Sequence, residues 1–129
     1  MSNVPSTIMI VDDNLPNLVA GKNILKPYFQ VTPVPSAGAM FETLEHILPD
    51  LILLDIDMPE IDGYEALKRL KADPRYAGIP VIILTALDDS KDDIEKSAGL
   101  GAAGFIEKPF SASGLIEYIE KVLPSNGKA

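Results

Sequence analysis

The chain contains no cysteine, which excludes disulfides and thiolate metal sites but leaves the compartment open. Histidine is nearly absent as well: His46 stands alone, beside the apolar stripe of a predicted helix, and is expected at a surface or boundary position. Positive charge is scarce, with eleven Lys and Arg against nineteen Asp and Glu and a formal charge of −8. A surface for nucleic acid or anionic lipid needs clustered Lys and Arg, so direct nucleic-acid and membrane partners are excluded. No apolar run approaches the ~18 residues of a membrane span, because Asp and Pro interrupt each one. Met1-Ser2-Asn3-Val4-Pro5 has neither a basic segment nor an apolar stretch, so no signal peptide is expected and a cytoplasmic setting is. Repeats and low-complexity segments are missing too.

What remains is an ordinary globular composition, 47% apolar and 23% charged over 129 residues, enough for one domain with one core. Residues 7–123 are expected to form that domain, with 1–6 as an N-terminal extension and 124–129 as a polar tail. Thr7-Ile8-Met9-Ile10-Val11 and Leu51-Ile52-Leu53-Leu54 read as buried strands, and each ends in acid: Asp12 and Asp13 close the first, Asp55 the second. In a parallel sheet, neighbouring strands open their carboxyl ends onto one crevice, where the three acids would meet. Two unit charges ~4 Å apart repel by about 4 kcal/mol at an effective dielectric near 20, so such a cluster calls for a counter-charge. Oxygen ligands without Cys or His favour Mg²⁺ or a similar hard cation.

Strands and helices alternate along the chain. Asn14 is placed to cap a first helix with Pro16 in its first turn, and Leu15, Leu18, Val19, Ile24 and Leu25 recur at helical spacing until Lys26-Pro27. Phe29 to Val34 reads as a second strand, and Pro33, which cannot donate to a ladder, assigns it to a sheet edge. Ser36 can cap a second helix with Met40, Phe41, Leu44, Ile47 and Leu48 as its buried stripe, ended by Pro49-Asp50. A third helix is predicted from about Tyr64 to Ala72, a fourth strand over Pro80–Thr85, and a fourth helix from about Ser90 to Ala98, stopped by Gly99 and Gly101. Gly104-Phe105-Ile106-Glu107 is the fifth strand, and a last helix starts at Ser111 or Ser113 and reaches about Leu123. Its stripe, Leu115, Ile116, Ile119, Val122 and Leu123, suits either a core or a dimer face. Five strands alternating with five helices imply an α/β fold, a doubly wound parallel sheet of order 2-1-3-4-5.

Four segments, in this order, resemble the receiver domain of bacterial response regulators: Val11-Asp12-Asp13-Asn14, Leu54-Asp55-Ile56-Asp57-Met58-Pro59 with Asp62-Gly63, Pro80 to Ala86, and Gly101 to Phe110. The resemblance covers nearly the whole chain and implies the flavodoxin-like receiver fold. It implies that Asp55 accepts a phosphoryl group from the phosphohistidine of a histidine kinase or histidine phosphotransfer domain. Asp13 would bind Mg²⁺ directly, Asp12 directly or through water, and Asp57 would contribute its backbone carbonyl. Lys108 would hold the phosphoryl group as a fixed positive charge. Thr85 would move toward the new phosphoryl oxygens and Phe105, the switch aromatic, would fill the vacated space. Tyr is common at that position, and Phe has no hydroxyl, so the switch is expected to rest on packing. The implied output surface comprises the fourth helix, fifth strand and fifth helix, open to a downstream protein, an output domain or a homodimer partner.

Each feature also has a plainer reading. Asp12-Asp13 alone could be a turn, Thr85 a β-former, Phe105 a core residue, Lys108 a solvated lysine, and Asp57 a solvated loop carboxylate or a modulator of dephosphorylation. Asp88 to Asp93 fits a capped helix start better than a second metal site. Leu54-Asp55-Ile56-Asp57-Met58 also resembles the Asp-x-Asp signature of haloacid-dehalogenase-type phosphatases, but there the nucleophile motif leads and the paired acids come last. A phosphate-independent receiver-like adaptor is the other rival. Such proteins usually lose an acid or the lysine, and this chain keeps the set.

Overall fold

A computed structural model describes residues 6–55, 63–85, 99–107 and 111–123. The first strand, β1 (Thr7–Val11), leads to helix α1 (Leu15–Leu25), then β2 (Gln30–Val34), α2 (Ala37–Leu44), β3 (Leu51–Asp55), α3 (Gly63–Ala72), β4 (Val81–Thr85) and β5 (Gly104–Glu107). A C-terminal helix follows at Ala112–Val122. The helix expected at 90–98 lies outside the described residues. All strands pair in parallel in the order β2-β1-β3-β4-β5, as the sequence predicted. Pro33 sits in edge strand β2, opposite Ile10, where a missing N–H is tolerated.

Side chains on a strand alternate between faces, and the two sets here build two cores. Met9, Val11, Ile52, Leu54 and Ile83 face α2 and α3, packing on Met40, Leu44, Leu67 and Leu70. Ile8, Ile10, Leu51, Leu53, Ile82 and Leu84 face α1 and the C-terminal helix, packing on Leu18, Leu25, Leu115 and Ile119. Every residue of β3 is buried, which explains an apolar run with no alternation. Full burial of one such Leu or Ile stabilises by about 1.5–3 kcal/mol relative to leaving it exposed.

Helix starts follow side-chain chemistry. Asn14 Oδ1 accepts from Asn17 N, Ser36 Oγ from Ala39 N and Ser111 Oγ from Gly114 N. Ser111, and not Ser113, therefore caps the last helix. Leu115 and Ile119 are buried, with Ile116, Val122 and Leu123 packed against the same core, so this stripe serves the domain interior.

Two predicted stripes require correction. On α1 the buried residues are Leu18, Gly21 and Leu25, whereas Leu15 and Val19 are 65% and 55% exposed. Val19 lies 100° around the helix from Leu18, and Leu15 occupies the first turn. The second helix stops at Leu44 instead of running to Pro49. Glu45 N bonds Glu42 O and His46 N bonds Thr43 O, a three-residue spacing that tightens the turn and breaks the helical phase. Ile47 and Leu48 are consequently 43% and 64% exposed.

At the far end of α3, the Lys71 ammonium donates to Ala77 O and Ile79 O at 3.0 and 2.9 Å. Burial pulls its pKa below the ordinary lysine value. Its stem lies against Gly101, where φ is +101°, a conformation that favours glycine.

Candidate functional site

The sheet order puts β1 and β3 side by side at the point where the connections reverse direction, and both strands end in acid. Val11 pairs with Leu54, so Asp12 and Asp55 follow at the same level. Carboxylate oxygens of Asp12, Asp13 and Asp55 all lie within 4.8 Å of one another. Asp12 and Asp55 are buried, at 2% and 5% exposure, while Asp13 is exposed. Asp12 is fixed by its own turn: its Oδ1 accepts from Asn14 N at 3.0 Å, and its N–H donates to Val34 O at 3.1 Å. The first bond is an Asx turn, and it gives Asn14 a second task that its helix-cap pattern did not reveal. An Asp-x-Asn triplet straight after a strand was the available signal.

Beneath Asp12 lies a cavity of about 80 Å³, bordered among the described residues by Ile10, Gly21, Leu53, Leu84 and Leu115. Apolar walls lower the local dielectric, so charges in the crevice act more strongly than in water. Three oxygen donors within 4.8 Å suit a hard divalent cation, since octahedral coordination at 2.0–2.1 Å separates ligand oxygens by about 3–4 Å. The residues present fit Mg²⁺.

The remaining predicted residues are placed in part. Thr85 ends β4 and pairs in register with Glu107, one step beyond the pair Asp55–Leu84, and neither Thr85 nor Glu107 is described beyond its backbone. Asp57 and Lys108 lie outside the described residues. Phe105 is half-buried on β5, against the core under α2 and α3. His46 is exposed.

The family model of the response regulator receiver domain matches residues 8–120. The chain belongs to the response regulator receiver family. This receiver domain is 36% identical over 122 residues to the polar-differentiation response regulator DivK of Brucella anthropi, covering 93% of this chain and 98% of that one. It is 37% identical over 105 residues to a probable cyclic di-GMP phosphodiesterase of Vibrio cholerae, covering 81% of this chain but only 24% of that protein's length. Among solved structures it resembles the signal receiver domain of a histidine kinase from Syntrophus aciditrophicus, with a TM-score of 0.85 and 34% identity over 96% of this chain and 94% of that one. Receiver domains act as signalling switches in two-component systems, and in some relatives the receiver is one part of a much longer protein. No helix among the described residues is long and apolar enough to cross a membrane.

Proposed function

We propose that this receiver takes a phosphoryl group onto Asp55 in a Mg²⁺-dependent reaction and thereby switches its output surface. The observation that supports this reading best is the convergence of Asp12, Asp13 and Asp55 within 4.8 Å at adjacent strand ends. An Asp55 carboxylate oxygen attacks phosphorus, the P–N bond to the donor imidazole breaks, and its electron pair stays on the nitrogen, which takes a proton. A bound Mg²⁺ supplies positive charge that offsets carboxylate repulsion and stabilises the transferring oxygens. Asp12, Asp13 and Asp55, with the Asp57 carbonyl, would hold the ion, and Asp12 is kept in place by the Asn14 N–H. Lys108 holds the new phosphoryl group, Thr85 moves to donate to it, and Phe105 fills the space that Thr85 leaves.

The donor is the phosphohistidine of a histidine kinase or phosphotransfer domain, encountered in the cytoplasm. A downstream protein, an output domain or a second copy reads the surface around β5 and the C-terminal helix. In acetyl phosphate and Mg²⁺, the protein forms an acyl phosphate detected by mass spectrometry as an added phosphoryl mass. Asp55→Asn abolishes it. Steady phosphate release without an adduct would indicate a phosphatase, and no reaction would indicate a phosphate-independent adaptor; either outcome overturns the proposal.

A further inference from the structure

The Phe105 backbone N–H donates to Tyr118 Oη at 3.3 Å, across thirteen residues from β5 to the C-terminal helix. The phenol reaches this position only because residue 104 is glycine. A Cβ built on Gly104 would fall on Tyr118 Oη and within 2.8 and 2.9 Å of ring atoms Cε1 and Cζ, closer than side chains pack. The two rings belong to different layers. Phe105 packs against the core under α2 and α3, whereas Tyr118 packs against the core under α1 and the C-terminal helix. The hydrogen bond therefore runs from the backbone of a residue facing one side of the sheet to a helix on the other. β5 is the terminal strand, with β4 as its one strand neighbour, so it is freer to shift than the inner strands.

We propose that Tyr118 is the positioning residue of the Phe105 switch: its hydroxyl latches β5 to the C-terminal helix and passes a movement of Phe105 through the backbone to that helix. Phe105 carries no hydroxyl of its own, and this arrangement supplies one from the helix instead. The proposal rests on the switch role given to Phe105 above. Gly104 is the second half of the device, since any side chain there would displace the phenol.

Backbone amide NMR and hydrogen exchange on the whole chain test the latch, comparing wild type, Tyr118→Phe and Gly104→Ala. Without ligands, Tyr118→Phe should speed exchange of the Phe105 amide about 3–10-fold, the factor associated with one net hydrogen bond, with the amides of β3 unchanged. Gly104→Ala, which keeps the hydroxyl but pushes it away, should do the same. On addition of beryllofluoride and Mg²⁺, wild type should shift amides at Phe105 and at residues 115–119, whereas both variants keep the first response and lose the second. A Phe105 amide indifferent to Tyr118→Phe, a Gly104→Ala variant that behaves as wild type, or a helix response that survives in Tyr118→Phe would each overturn the latch. If beryllofluoride produces no adduct at Asp55, the phosphoacceptor reading fails, while the ligand-free comparison still decides whether the latch exists.

Discussion

Asp12 and Asp55 are buried side by side, and Asp13 is exposed at the mouth of the crevice. Identical side chains thus stand in different surroundings: Asp12 is buried and held by the Asn14 N–H, Asp55 is buried beside it, and Asp13 faces solvent. A contrasting acid is Asp73, whose carboxylate is held below its ordinary range first by the side-chain hydrogen bond from Arg75, then by the Arg75 backbone N–H. Arg75 also stacks over the Tyr76 ring, 4.7 Å from its centre. A depressed carboxyl pKa contributes stability that is present above the unfolded value of 3.8 and disappears as pH falls through the lower folded value. Wild type should therefore exceed Arg75→Gln in urea stability by a constant margin near neutral pH, and that margin should shrink below about pH 4. The pair is exposed, so the margin should be small and should fall with added salt.

Elements here owe their ends to single polar side chains and their positions to apolar ones. Leu53 lies in β3, fully surrounded by the core under α1 and the C-terminal helix, at 2% exposure. Leu53→Ala should cost about 2–5 kcal/mol in urea unfolding, through lost burial and the cavity left behind. Ser111→Ala removes only a cap and should cost about 0.5–2 kcal/mol. A reversed order of effects would mean that the C-terminal helix, and not the sheet core, limits stability. Strand and helix identities were readable because their signals are local: four or five apolar residues bounded by Asp, Pro or Gly, and Ser or Asn before a helical period. The buried faces were less readable. Val19, Ile47 and Leu48 are as apolar as Leu18 and Leu44, and only the placement of each helix on the sheet decides which side chains meet it.

As a whole molecule, the domain carries a charge of −8 and gathers three of its acids at one crevice. A ligand that binds the folded chain and not the unfolded one stabilises it by about 2.7 kcal/mol at a hundred times its dissociation constant. Saturating Mg²⁺ should thus raise the unfolding midpoint by several degrees for a domain of this size, and EDTA should reverse the rise. Asp13→Asn should lose most of that gain, yet unfold at a higher temperature than wild type in EDTA, because one member of a repelling set is gone. A midpoint indifferent to Mg²⁺ would remove the basis for a cation site.

The order of residues dictated which acids end which strands, where helices begin, and that one strand with proline inside it must lie at an edge. Those are matters of hydrogen-bonding capacity and apolar run length, local properties of a chain. The alternation of elements already implied that β1 and β3 are neighbours; the folded arrangement decided the register between them, which brings Asp12 within reach of Asp55 across 43 positions of sequence. It alone placed Tyr118 against Gly104 and joined Phe105 to the C-terminal helix. Such contacts depend on how two layers of helices settle on a twisted sheet, and nothing in the composition of either segment carries that distance.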